Sequence, residues 1–315
     1  MKNERQVLTA NKGIFQDTWK NGGFSAVMRK IWAAAQLKLP IHFDDYNRVS
    51  AFYDLVTDEA RLFYGDNFHF GLFTDQTDTV EAATNALTDL MGEMAVADRA
   101  TNIIDLGCGI CAPAIRMAQR FPALNITGIN INNEQVRQAR VLIAEQALSG
   151  RITVEKANAL VLPFESGAFD SALSLEVATN ICAQAGDKQG HVTEIKRVLA
   201  LQGRIGFCDL VFHSPSTPAE DKILESVFFH RGKDFIADWP SLFEAEGFRI
   251  EEKRDILSQT HKTWELMRSI YEQRGDEVNR RYGKKIANEI LENLSFLPEI
   301  LDRHAEYLVL SATRT

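Results

Sequence analysis

Residues Asn102 to Gln119 read N-I-I-D-L-G-C-G-I-C-A-P-A-I-R-M-A-Q, and they join an apolar strand to a helix through two glycines. Asn102 to Leu106 is short, apolar and β-branched, which suits a parallel strand covered on both faces. Gly107 and Gly109 let the backbone turn sharply and approach a ligand with no Cβ in the way. From Ala112 onward the apolar positions recur at helical spacing, with Ile115, Met117 and Ala118 on the packed face. The start of that helix points free N–H groups at whatever lies over the glycines.

A glycine turn of this kind also fits the dinucleotide fingerprint, with Ala112 in the third position, so a nicotinamide-dependent oxidoreductase is a rival reading. Two details favour another ligand. Asp105 stands at the end of the strand, where a carboxylate pairs with a ligand ammonium but repels a pyrophosphate. The next strand, Ile126 to Ile131, carries Asn130 near its end, where a ribose-binding side chain is needed. Together they point to a nucleoside that bears an amino acid.

Composition agrees with an enzyme of small molecules. The chain has 315 residues, 45% hydrophobic and 25% charged, with a formal net charge of −8. That is enough to bury a full α/β core with roughly a hundred residues left over. The acidic balance argues against a broad nucleic-acid surface, which needs clustered Lys and Arg. A small-molecule substrate is therefore expected, and a homo-oligomer stays open. No signal-peptide pattern and no bilayer-length apolar run is visible, so a cytoplasmic location without membrane insertion is the expectation. Cys108, Cys111, Cys182 and Cys208 are too scattered for a disulfide framework. Cys108 and Cys111 form C-x-x-C but lack a second pair at zinc spacing, so they read as packed thiols, and no metal ligands are assigned.

Thr79 to Ala95 reads as an amphipathic helix with Val80, Ala83, Leu87, Leu90, Met91 and Met94 on one face. Strands are expected near Ile103, Ile126, Ile152, Phe169, Arg204, Arg249 and Tyr307, with helices between most of them. That alternation predicts an α/β fold, a doubly wound, seven-stranded, mostly parallel sheet whose last strand enters antiparallel. Two regions lie outside it. Residues 1–78, including the helical pattern from Phe24 to Ala35, are expected to form an N-terminal helical cap. Residues 259–306, carrying Trp264, Met267, Ile270, Tyr271, Ile286, Ile290, Leu291 and Leu294 at helical spacing, are expected to form a helical insertion that acts as a lid. The core then spans 79–258 and is closed by a final strand at 307–315.

D-L-G-C-G at Asp105 to Gly109 resembles the first motif of the class I S-adenosylmethionine-dependent methyltransferases. G-I-N-I-N-N-E-Q-V at Gly128 to Val136 resembles their second, and A-N-A-L-V-L-P-F at Ala157 to Phe164 the adenine-side motif. F-D-S-A-L-S-L-E at Phe169 to Glu176 and E-I-K-R-V-L-A-L-Q-G-R at Glu194 to Arg204 complete five ordered matches. The chain departs from the pattern at three positions. Asn130 replaces the acid that clasps the ribose, where an amide accepts one hydrogen bond and donates another. Asn158 replaces an Asp near the adenine amino group, and Gln202 stands where many members have a glycine turn. The resemblance implies a Rossmann-like methyltransferase that binds S-adenosyl-L-methionine through Tyr64, Phe70, Asp105, Gly107, Cys108, Gly109, Asn130, Ile131, Gln135, Asn158, Ala159 and Glu176.

A narrower resemblance rests on F-Y-D-L-V-T-D-E-A-R-L-F-Y-G-D-N-F-H-F-G at Phe52 to Gly71. Sterol carbon-methyltransferases carry a similar Y-x-L-V-T-D, then Y/W-G-x-x-F-H-F and an asparagine-rich second motif; tocopherol-type enzymes share a looser form. The implied activity is methylation of carbon in an isoprenoid-like alkene of secondary metabolism, such as a prenyl diphosphate or a sterol-like molecule. An oxygen- or nitrogen-methylating natural-product enzyme is the alternative. Attack by an alkene leaves a carbocation, for which aromatic faces and a carboxylate are better suited than a strong base. Glu176, Tyr53 and His191 are the candidate catalytic residues, and His69 reads as a structural histidine. Oxygen-methylating relatives acting on sugars place a histidine a few residues after the glutamate, where this chain has Asn180. The basic run Arg280 to Lys285 reads as a solvated helix face, or as a grip on a diphosphate that would bring Mg²⁺.

Overall fold

The computed structural model describes residues 49–50, 53–54, 57, 61, 65–96, 100–181, 187–228, 237–276, 279 and 284–315. The cap helix expected from Phe24 to Ala35, the aromatics Phe52, Phe63 and Tyr64, and Arg280 to Gly283 lie outside these residues. The elements begin with α1 (Val80–Ala95), β1 (Asn102–Leu106), α2 (Ala112–Arg120), β2 (Asn125–Asn130), α3 (Asn133–Glu145) and β3 (Ile152–Lys156). They continue with β4 (Phe169–Leu175), α4 (Ala178–Ile181), α5 (Asp187–Val198), β5 (Leu199–Phe212), α6 (Pro218–Phe228) and α7 (Trp239–Ala245). The chain closes with β6 (Phe248–Asp255), α8 (Lys262–Gln273), α9 (Lys284–His304) and β7 (Ala305–Arg314).

Successive side chains of a strand point to opposite faces, and in this sheet both faces are covered. Ile103 packs in one apolar layer with Leu87 and Met91 of α1, Met117 of α2 and Leu297 of α9. Ile104, one residue on, packs in the other with Ile195 of α5 and Trp239 and Phe243 of α7. Tyr307 and Val309 against Leu308 and Leu310 repeat the alternation in β7. All seven expected strands form, in the order β3-β2-β1-β4-β5-β7-β6. Strands β1 to β5 pair in parallel, while β7 lies antiparallel between β5 and β6.

Helix α1 begins where expected because the Thr79 side chain caps it, accepting from the Ala82 N–H at 3.1 Å. Its Ala95 lies so close to β5 that a Cβ on Gly206 would stand 3.0 Å from it. In α2 the buried residues are Ala114, Met117 and Ala118, with Ile115 only partly buried. In the stretch between β6 and β7, helices α8 and α9 bury Trp264, Met267, Tyr271 and Leu294 in the first apolar layer. Gln202 has φ 63°, the left-handed conformation natural to the glycine it replaces. Among the described residues no helix is long and apolar enough to cross a membrane.

The strand order reverses between β1 and β4. The chain winds from β1 toward β3 on one side and from β4 toward β5 on the other, leaving a crevice at the carboxyl ends of β1 and β4. Open α/β sheets bind ligands at such a switch point. Asp105 and Glu176 lie at those two strand ends.

Candidate active site

A cleft enclosing about 640 Å³ of space, open solvent included, lies at this crevice. It adjoins a smaller hollow of about 340 Å³, and Phe68, Gly107, Gly109 and Leu175 wall both. The turn between them depends on its glycines. Gly107 has φ 67°, and a Cβ there would meet both Val177 methyl carbons at 2.7 Å. Gly109 has φ 55° and sits under the Phe68 ring. Cys111, at φ 67°, is a non-glycine residue in the same left-handed region at the N-cap of α2.

Asp105 lines the smaller hollow and is only 3% exposed. Its Oδ2 has no hydrogen-bond partner, and burial pushes the carboxyl up to about 7. A buried carboxylate oxygen without a partner costs free energy that a ligand ammonium would recover. Cys108 also lines the hollow, and its sulfur and that of Cys111 converge on Gly128, where a Cβ would fall 2.8 and 3.1 Å from them. Both are free thiols, as is Cys208, while Cys182 lies outside the described residues.

The larger cleft holds Asn130, Ile131, Gln135, Asn158, Ala159 and Glu176, together with Tyr53 from the segment preceding the core. Asn130 differs from the expectation that it would donate to a ligand. Its Nδ2 already donates to Gly109 O at 3.2 Å and Gln135 Oε1 at 2.7 Å, and its Oδ1 accepts from the Asn132 N–H at 2.8 Å. What it offers the cleft is the second lone pair of its oxygen. Asn158 Oδ1 likewise accepts from the Leu160 N–H at 2.9 Å, shaping the loop that presents Ala159.

This polar network reaches the chain N-terminal to the core. Gln135 Nε2 donates to Thr57 Oγ1 at 3.0 Å, and Thr57 Oγ1 donates to the Tyr53 carbonyl at 2.6 Å. Asn132 caps α3 by accepting from the Gln135 N–H, and its Nδ2 donates to Ser50 O at 2.8 Å and Asp54 Oδ1 at 2.9 Å. Ser50, Asp54 and Thr57 are thus tied directly to the second sequence motif, with Val49 and Tyr53 lining the cleft.

Glu176 immediately follows β4 with φ 52°, a conformation unusual for a side chain of its size. Its Oε1 accepts from the Phe70 N–H at 2.7 Å and from the Tyr307 hydroxyl. Burial raises its carboxyl to about 8, with the two donors opposing and nearby Asp209 assisting. Asp209, on β5, accepts from the Thr179 N–H, the Thr179 hydroxyl and the Leu210 N–H, and burial still raises it to about 7. Tyr53 faces both carboxyls, and its phenol is raised by burial and by their charge.

Two expected positions differ. The Phe70 ring is absent from the lining of the cleft: it stacks on Tyr307 at 5.1 Å and meets Trp264 edge-on at 4.5 Å, because the chain bends at His69 and so breaks the alternation that would put Phe68 and Phe70 on one face. Phe68, two residues earlier in the same motif, lines the cleft instead. His191 was expected at the pocket but is buried on α5 behind Ala159, its Nδ1 3.4 Å from that carbonyl and its ring against Trp239. Burial lowers it to about 4. His69 is structural, with Nδ1 on Phe70 O and Nε2 on Thr88 Oγ1. Asn180 lines the cleft, and Tyr64 lies outside the described residues. No group of three or more His, Cys, Asp or Glu among the described residues could hold a metal ion.

A family model described as a methyltransferase domain matches residues 97–272, more than half of the chain. The chain belongs to this family. It is a class I S-adenosylmethionine-dependent methyltransferase acting on small molecules. The methyltransferase is 28% identical over 225 residues to the 27-O-demethylrifamycin SV methyltransferase of Amycolatopsis mediterranei, covering 69% of this chain and 79% of that one. It is 25% identical over 285 residues to the sterol 24-C-methyltransferase of Clavispora lusitaniae, covering 81% and 72%. Among solved structures the methyltransferase resembles the [4+2]-cyclase SpnF, with a TM-score of 0.70 and 26% identity over 85% of this chain and 96% of that one. The partnerless Asp105 oxygen beside a side-chain-free turn fits the amino-acid end of the cofactor.

Proposed function

We propose that this methyltransferase methylates an alkene carbon of a lipophilic, isoprenoid-like small molecule, and that Glu176 accepts the proton lost afterwards. The observation that carries the reading is the setting of Glu176: a carboxyl in left-handed backbone just after β4, at the wall of a cleft whose lining, among the described residues, also includes Tyr53 and Phe68 but no histidine. The likeness to a sterol 24-C-methyltransferase, which extends beyond the core, supports it.

S-adenosylmethionine supplies an electrophilic methyl group on a sulfonium cation. Asp105 would hold its ammonium, the glycine turn its amino-acid end, Asn130 and Gln135 its ribose, and Asn158 and Ala159 its base. Val49 and Tyr53 line the cleft and would help to exclude water from it. The Tyr53 and Phe68 faces favour positive charge on the methylated acceptor, and a cation in the cleft also favours the ionised form of Glu176. Methyl transfer is accelerated chiefly by alignment, so proton removal is the step that needs a positioned group.

Oxygen methylation is a second reading, favoured by the acidity of Glu176 near 8, which suits removal of a hydroxyl proton, and by the rifamycin relative. Incubating the protein with methyl-labelled cofactor and a panel of prenyl diphosphates, sterols, phenols and hydroxylated polyketides separates the two, because product NMR distinguishes a C-methyl from an O-methyl group. Glu176→Gln should lower turnover far more than S-adenosylhomocysteine affinity; normal turnover in that variant would remove the proton-accepting role.

A further inference from the structure

We infer that Tyr307 is a positioning residue for Glu176: with the Phe70 N–H it claims Oε1, and so dedicates Oε2 to the proton that the reaction releases. The inference rests on the proposed role of Glu176 and adds to it a residue 131 positions away in sequence, on the one strand that runs antiparallel to its neighbours.

Both donors converge on the same oxygen. The Phe70 N–H reaches Oε1 at 2.7 Å and the Tyr307 hydroxyl is bonded to it, while neither reaches Oε2. Glu176 nevertheless lines the cleft, and its Oε2 takes part in neither of these two bonds. The tether is itself rigid. Phe70 stacks on Tyr307 with an interplanar angle of 18°, Trp264 closes the cluster edge-on, and all three are buried. The Tyr307 backbone is fixed on both sides, its N–H donating to Asp255 Oδ1 at 3.0 Å and its carbonyl accepting from the Ile256 N–H at 3.1 Å. A tyrosine whose hydroxyl merely needed a partner would not require this framing.

The other groups facing the carboxyl do not substitute for this donor. Asp209 of β5 acts in the opposite sense, disfavouring the ionised form. The Cys208 thiol, also on β5, is pushed well up by burial and stays neutral. Tyr53, over the cleft, is likewise raised and uncharged. A hydrogen bond donated to a carboxylate favours its charged form, so Tyr307 holds Glu176 lower than it would otherwise lie.

Carbon NMR of the full chain carrying ¹³C at the glutamate carboxyl reads this without any acceptor, with Glu176→Gln identifying the signal. The wild-type midpoint is expected near 8. Tyr307→Phe should raise it by about one pH unit, the scale of one lost charge-assisted hydrogen bond. Site-specific 3,5-difluorotyrosine at position 307, a stronger donor of nearly the same shape, should lower it, and this second protein decides the matter where the phenylalanine variant does not fold. Shifts of opposite sign support the assignment, whereas a midpoint unmoved in the folded variants overturns it. A midpoint that moves while Glu176→Gln keeps full methyl transfer would instead sink the proton-accepting role and leave the tuning by Tyr307 intact.

Discussion

Replacing Asp105 by Asn should make the unliganded protein more stable and the liganded one weaker, in a pH-dependent way. Burial raises this carboxyl from 3.8 to about 7. That is about three units, on the order of 4 kcal/mol of unfavourable charge burial as an upper bound. The sign follows from linkage. Below pH 4 both folded and unfolded states carry the protonated form and nothing is lost. Between pH 4 and 7 the unfolded chain ionises while the folded one resists, and the penalty grows until it is complete above pH 7. Asn keeps the shape and removes the charge, so its gain in stability should be absent near pH 4 and full near pH 8. At about 2 °C per kcal/mol for a chain of this size, Tm at pH 8 should rise by several degrees, with about 8 °C as the ceiling.

Ligand binding should move the other way. Losing one member of a buried, charge-assisted pair costs about 2–5 kcal/mol, or roughly 30- to 5,000-fold in Kd for S-adenosylhomocysteine. Thermal unfolding across pH, with and without that ligand, measures both effects on the same samples. Parallel Tm–pH curves for the two proteins, or a Kd in the variant within threefold of wild type, would refute the reasoning.

Gly107→Ala forces an L-residue to φ 67° and sets a methyl 2.7 Å from Val177. It should destabilise by about 2 kcal/mol or more, with loss of S-adenosylhomocysteine binding, as calorimetry and denaturant unfolding would read. Asn132→Ala removes the cap of α3 and the donor to Ser50 and Asp54. It should cost about 2 kcal/mol and speed ligand release, and a stopped-flow off-rate equal to wild type would detach the Ser50 and Asp54 tether from ligand retention.

Much of the architecture was legible because it depends on local pattern. Alternating or continuous apolar runs located the strands, and helical spacing located α1 and the helices before β7. The glycines of the D-L-G-C-G turn marked a left-handed backbone that Gly107 and Gly109 adopt, and Gln202 adopts the same conformation where the resemblance gave a glycine. The position of Asp105 was legible as well, since a strand followed by that glycine turn puts it beside the hollow that it lines.

The details that sequence missed involve orientation across the fold. Phe68 and Phe70 belong to one short motif, and only the local path of the chain sends one to the cleft and the other against Trp264. Helical spacing placed His191 on a helix before β5 without saying that this face turns toward Trp239. The free amide hydrogens expected of Asn130 are spent on Gly109 and Gln135, partners that only the folded turn brings near. Sequence by itself determined the strands, the glycine turn and the acid beside it, because burial periodicity and φ preference are local. Tertiary structure alone decided that Tyr307 meets Glu176 and that Thr57 meets Gln135. Side chains so far apart in the chain become neighbours only through strand order and the packing of layers, which no local pattern encodes.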